Sequence, residues 1–212
     1  MRDAVTEKNS GVYGFIRLLA PLVTRFLMPI RYHHVERMQM EPPFVMVSNH
    51  VHALDPLLMA YPIKKSQCVF LGKKELARGP FTKWFMTMMH VILVDRHHSD
   101  LTAMRECMKA LKMKKVLVVF PEGTRHHEGQ MEQIENGASL IILRGKTPVL
   151  PVYIDRPMKL FRTVHAWVGE PIPVEDLWTR GVNAETCGEL NDRMRACFRD
   201  LIRESQESGT AV

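Results

Sequence analysis

The chain has 212 residues, enough for one substantial hydrophobic core, and with 46% hydrophobic and 25% charged residues it reads as a folding sequence, not a disordered one. A formal charge of +6 suits an anionic partner such as anionic lipid, an acidic protein or nucleic acid, but without a long basic tract or nucleic-acid motif no nucleic acid is expected. The four cysteines, Cys68, Cys107, Cys187 and Cys197, lack CxxC spacing, and the polar start Met1-Arg2-Asp3-Ala4 does not resemble a secretory signal, so a reducing, cytosolic setting is expected.

Residues 11 to 30 form the most apolar long stretch. Arg17 and Arg25 interrupt it and Pro21 and Pro29 bend it, which disfavours an unbroken spanning helix. At helical periodicity Val12, Phe15, Leu19, Leu22, Val23, Phe26 and Ile30 share one face, opposite Arg17, Thr24, Arg25 and Arg31. That pattern fits a helix lying in a membrane interface, or one packed on the protein's own core. The expected boundary falls after residue 31, with a loop over Tyr32 to Pro43 opening a second unit that runs from 32 to 212.

Phe44 to Val47 reads as a buried strand. It delivers His50 to a turn that ends at Asp55-Pro56, where Asp55 is expected to cap a helix with Pro56 at its first position. An imidazole whose ring N–H is held by a carboxylate is a general base with its orienter. His50 and His52, two apart, put both rings on one side, yet no acid or cysteine cluster of metal-ligand spacing joins them and no metal site is expected. The pairs His33-His34, His97-His98 and His126-His127 read as loop residues.

Cys68 to Leu71 is a second strand, releasing the chain into Gly72-Lys73-Lys74-Glu75-Leu76. The segment Phe81 to His90, with Trp84, Phe85, Met86, Met88 and Met89, suits core or the wall of an acyl groove, core being preferred. Val91 to Val94 returns as a strand before Asp95-Arg96. Ser99 or Asp100 caps a helix through Leu101, Met104, Cys107, Met108 and Leu111. Val116 to Phe120 is a buried strand ending in the turn Pro121-Glu122-Gly123-Thr124-Arg125, where glycine permits a tight turn and the arginine suits a bidentate phosphate contact. A helix through Ser139 to Leu143 follows, then a strand over Pro148 to Ile154. Pro151 within that strand argues for a sheet edge or bulge. Val164 to Val168 and a short run near Ile172 to Val174 complete the strands. A last helix from Ala184 buries Leu190, Met194, Cys197, Phe198, Leu201 and Ile202 on one face. Alternating strands and helices make this an α/β chain with a mostly parallel central sheet flanked by helices.

His50-Val51-His52-Ala53-Leu54-Asp55 resembles the HxxxxD motif, and Phe120-Pro121-Glu122-Gly123-Thr124-Arg125 the second signature, of the glycerolipid acyltransferases typified by 1-acyl-glycerol-3-phosphate acyltransferase. Lys73-Lys74-Glu75-Leu76 resembles the family's KxEL block, and Val149-Leu150-Pro151-Val152 its last, proline-containing block. The resemblance covers residues 30 to 175. It implies a single acyltransferase domain over 32 to 212, with His50 and Asp55 catalytic and the acceptor phosphate held by Arg125, Lys73 and the turn Glu122, Gly123 and Thr124. Asn49, Lys74, Arg96 and Pro151 would line an acceptor or acyl pocket. Where the family usually carries a lysine ahead of a Gly-Ala pair, Glu135 and Asn136 stand instead, which leaves the exact acceptor open.

The implied reaction moves an acyl group from a thioester, acyl-CoA or acyl-carrier protein, to lysophosphatidic acid at the cytoplasmic side of a membrane. The enzyme would be peripheral or monotopic on phospholipid, with no cofactor beyond the co-substrate. Two rivals stand beside it. A serine hydrolase would use Ser48 with His50 and Asp55, although three triad members within eight residues align poorly and Ser48 lacks a G-x-S-x-G elbow. A non-catalytic basic module would simply grip anionic lipid.

Overall fold

Where the sequence shows unbroken apolar runs, the strands are buried on both faces. In the computed structural model, which describes residues 4–5, 11–95, 100–123 and 131–209 and only the backbone of Arg17 and Val23, β2 (Phe44–Ser48), β5 (Val116–Val119) and β6 (Val149–Ile154) are buried along their whole length. That is the mark of a sheet covered by helices on either side. The remaining strands are β1 (Ile30–His33), β3 (Cys68–Lys73), β4 (Val91–Val94) and β7 (Val164–Val168). Their spatial order is β1-β7-β6-β2-β5-β3-β4. Every neighbouring pair runs parallel except β6 with β7, which confirms the mostly parallel α/β sheet.

Side chains alternate between two cores, as the pleat requires. Val45, Val47, Leu117 and Val119 face a core built with α4 (Leu101–Lys112), α5 (Asn136–Gly145) and α7 (Ala184–Glu207). Phe44, Met46, Val116 and Val118 face the other, built with α1 (Gly11–Leu22) and α2 (Asp55–Ala60) and flanked by Phe85 of α3 (Pro80–Met88). A short α6 (Glu175–Thr179) adds Leu177 to the first core. Local signals set the helix starts. The Asp100 carboxylate accepts from Ala103 N at 2.9 Å, so Asp100 is the cap of α4, while the alternative Ser99 lies outside the described residues. Asn183 and Thr186 form a reciprocal capping box at the start of α7.

Several expectations are corrected. The amphipathic segment is α1 followed by a π-helical turn, Val23–Leu27, after which the chain becomes sheet. Ile30 and Arg31 pair with Val164 and His165, so the expected helical face ends before Ile30 and the loop after it begins with a strand. His33 is therefore a strand residue, its ring stacked on Trp167 with centroids 3.6 Å apart. Among the described residues no helix is long and apolar enough to cross a membrane.

Pro151 sits in the interior of the sheet, not at its edge. Its carbonyl faces β7 and accepts from Gly169 N at 2.9 Å, just past the last residue of that strand. The N–H that proline lacks would point to the same side. The ladder therefore loses one bond at a point where it is already ending. Gly169 completes the fit, because a Cβ there would lie 2.8 Å from the Pro151 ring.

Phe81 to His90 divides between its two readings. Met88 and Met89 are buried, while Phe81 and Trp84 project from α3 and contact each other, with ring centroids 5.8 Å apart.

Candidate active site

Four adjacent parallel strands, β2, β5, β3 and β4, end along one edge of the sheet. The loops leaving them carry the candidate residues, as expected for an open α/β sheet. From β2 the chain turns at Asn49 into His50. Asn49 is fully buried and clamps the backbone of Ile154 on β6, donating from Nδ2 to its carbonyl and accepting its N–H at Oδ1, both at 2.8 Å. Asn49 thereby fixes where β2 ends.

Asp55 opens α2 as its first residue, with Leu54 as the cap, so its carboxylate serves the preceding turn instead of capping its own helix. It is fully buried, and its Oδ2 accepts from Val51 N at 2.8 Å, His52 N at 2.7 Å and His50 Nδ1 at 2.8 Å. A carboxylate only accepts unless protonated, so the shared proton is placed on Nδ1, leaving the Nε2 lone pair of His50 open. The His50 ring lies against Phe120, with centroids 4.3 Å apart, and keeps 18% of its side chain exposed. One face is therefore packed and one nitrogen held.

The turn after β5 supports the same histidine. Glu122 is nearly buried and its Oε2 accepts from His50 N at 3.2 Å. The Glu122 side chain thus ties the turn after β5 to the loop after β2. Gly123 N donates to Phe120 O at 3.1 Å with φ of 73°, a left-handed conformation that favours glycine. Sequence reasoning missed Phe120 as a packing partner. Its position between the strand and Pro121-Glu122-Gly123 was the available signal, because the residue just past β5 meets whatever leaves the neighbouring β2.

Lys73 ends β3, half-buried, and Lys74 opens the next turn with Nζ 3.5 Å from Asp95 Oδ2 at the end of β4. Both lysines thus lie along the same edge as His50. Thr124, Arg125 and Arg96, with the pairs His97-His98 and His126-His127, lie outside the described residues. Among those described, no group of three or more histidine, cysteine or acidic side chains is placed to hold a metal ion. His52 turns its Nδ1 to its own loop, accepting from Leu54 N at 3.2 Å. Ser48 is fully buried and its hydroxyl donates to Asn49 O at 3.1 Å, pointing into the strand end and away from a nucleophile's role.

Residues 29–155, the stretch from β1 to the end of β6, match the family model described as Acyltransferase. The chain is 32% identical over 219 residues to 1-acyl-sn-glycerol-3-phosphate acyltransferase alpha of Mus musculus, covering 97% of this chain and 75% of that protein. It is 27% identical over 204 residues to the 1-acyl-sn-glycerol-3-phosphate acyltransferase of Streptococcus pneumoniae, covering 91% and 75%. The fold resembles the crystal structure of the 1-acyl-sn-glycerophosphate (LPA) acyltransferase PlsC from Thermotoga maritima, with a TM-score of 0.65 at 21% identity over 95% of this chain and 80% of that one. A histidine held by a buried carboxylate at the strand ends, inside a stretch that matches from β1 to β6, places this chain in the acyltransferase family.

Proposed function

We propose that the protein transfers a fatty acyl group from a thioester, acyl-CoA or acyl-carrier protein, to the free hydroxyl of 1-acyl-glycerol-3-phosphate, giving phosphatidic acid for phospholipid synthesis. The observation that carries this reading is the 2.8 Å bond from His50 Nδ1 to the buried Asp55, which leaves Nε2 to act as the base while the Ser48 hydroxyl is turned to Asn49 O. Nε2 takes the acceptor's hydroxyl proton as the oxygen attacks the thioester carbonyl. Asp55 holds the ring and stabilises the imidazolium that forms. When the tetrahedral intermediate collapses the C–S bond breaks, and the imidazolium returns the proton to the leaving sulfur. No covalent acyl-enzyme is needed.

The acceptor phosphate would be gripped by Arg125 with help from Lys73, turning binding into placement of the hydroxyl. The membrane reading draws support from α1, where Phe15, Leu18, Leu19 and Leu22 are exposed, as is Phe26 in the π-helical turn that follows, while Tyr13 is buried and Val12 and Ile16 pack on the core. The helix thus rests on the protein by one side and offers an apolar stripe on another, as an interfacial helix at the cytoplasmic membrane surface does.

The test is thiol release from long-chain acyl-CoA and acyl-carrier protein, each with and without 1-acyl-glycerol-3-phosphate and its phosphate-free analogue. Rapid release only with the phosphate-bearing acceptor is expected, and Arg125→Ala should weaken that reaction selectively. Release without an acceptor would indicate a hydrolase; no release would indicate a binding module.

A further inference from the structure

Between β6 and β7 the chain makes a small closed tip, Lys159-Leu160-Phe161-Arg162, in which Lys159 and Arg162 form an antiparallel bridge. At its apex Leu160 is 60% and Phe161 76% exposed. Phe161 takes a φ of 58°, a left-handed backbone rarely adopted by a bulky aromatic residue, so the apex is not a relaxed turn whose side chains happen to face outward. The tip is also tied to the N-terminal element, with Phe161 N donating to Leu27 O at 2.7 Å and Val164 N to Pro29 O at 2.8 Å. Leu27 and Phe26, in the π-helical turn, are themselves exposed. An apolar surface therefore continues from α1 across this turn.

Charge on these segments is of one sign. Residues 11 to 35 and 156 to 169 contain no aspartate or glutamate, while Arg25, Arg31, Lys159 and Arg162 are exposed. An apolar apex between two cationic shoulders has the chemistry of a segment that dips into a lipid interface while its charges meet anionic headgroups. A protein partner would more naturally meet an apolar patch with lysine excluded from its centre.

We infer that the tip Lys159-Leu160-Phe161-Arg162 is a second lipid-inserting element that docks on an anionic bilayer beside the π-helical turn. It rests on the reading of α1 as a membrane helix and adds a contact from a distant part of the sequence. Two points of attachment, one on a helix and one on the sheet, fix how the domain stands on the surface, where a single helix would leave it free to swivel.

The test uses an environment-sensitive fluorophore on a single introduced cysteine, Phe161→Cys, Phe15→Cys or Arg203→Cys, in a Cys197→Ser background because the other cysteines are buried. Vesicles of phosphatidylcholine with and without phosphatidylglycerol are added. Blue shifts at positions 161 and 15 with anionic vesicles, and none at position 203 on α7, are expected. A shift at 15 alone overturns the tip and leaves the α1 reading standing, whereas no shift at either overturns both. A shift at 161 that follows protein concentration without vesicles would mean contact between copies, and also overturns it. As an unlabelled check, Leu160→Ser with Phe161→Ser should weaken sedimentation with anionic vesicles by about tenfold or more at unchanged circular dichroism. Lys159→Glu with Arg162→Glu should weaken it on anionic vesicles only. Undiminished binding by both pairs would overturn the proposal.

Discussion

On one face of the sheet, α4, α5 and α7 bury regular apolar stripes and turn ion pairs to solvent; on the other, α1, α3 and the tip between β6 and β7 hold aromatic and leucine side chains outward. The first face carries a surface network in which Arg193 bonds Asp176 and Glu189, both at 2.5 Å, and Arg180 bonds Glu185 at 2.7 Å and Glu189 at 2.6 Å. Arg193 holds the Asp176 carboxyl down at about 2. Such exposed pairs add little stability, yet they mark a surface made for water. On the second face, residues 76 to 94 join the N-terminal stretch and the tip in lacking any acidic residue. Exposed Leu160 and Phe161 on one side and exposed Arg203 on the other thus belong to surfaces suited to different solvents. The turns that carry His50 and Glu122 sit at the strand ends, on the edge between them.

The sharpest way to separate the faces is to truncate one aromatic on each. Phe198 of α7 is fully buried, so Phe198→Ala should cost about 3–5 kcal/mol in urea unfolding. At the edge between the faces, His50→Ala should lower kcat by roughly a hundredfold or more, while urea midpoint and vesicle binding stay unchanged. Retained turnover would remove His50 as the base. Phe15→Ser with Phe26→Ser should change stability by no more than about 0.5 kcal/mol, because both rings are already exposed, yet weaken vesicle sedimentation. A loss of stability near that of Phe198→Ala would place this stripe in the core and erase the contrast.

The smallest effect is expected where β1 meets β7. His33 Nε2 lies 2.9 Å from His165 Nδ1, and burial, its largest cause, holds both imidazoles below their usual value, with the neighbouring His165 adding to the effect on His33. The unfolded chain then binds protons first as pH falls through about 6.5, so this contribution to stability is complete above that pH and is lost below it. Thermal unfolding should show a fall of roughly a degree or two per acidified step below that point, reduced in His165→Asn.

Periodicity and turn chemistry in the sequence already separate strands from helices. The apolar runs at β2, β5 and β6 can only be buried on both sides, and Asp100 and the spacing in α7 announce their helices. The pairing of His50 with Asp55 was legible for the same reason, because both lie within one turn and no long-range contact is needed to bring them together. What the sequence could not supply was anything that depends on a partner far along the chain. Ile30 and Arg31 look like the end of a helix until β7, well over a hundred residues later, offers them a ladder. Pro151 looks like an edge residue until the end of β7 and the small Gly169 accommodate it. That Asn49 clamps Ile154 and Glu122 holds the His50 backbone also depends on partners far along the chain. The exposed face of α1 likewise follows from which of its sides the sheet happens to cover. Backbone preference and local spacing act within a few residues, whereas strand neighbours, clamps and surface exposure are set only when tertiary packing chooses which apolar surface to bury.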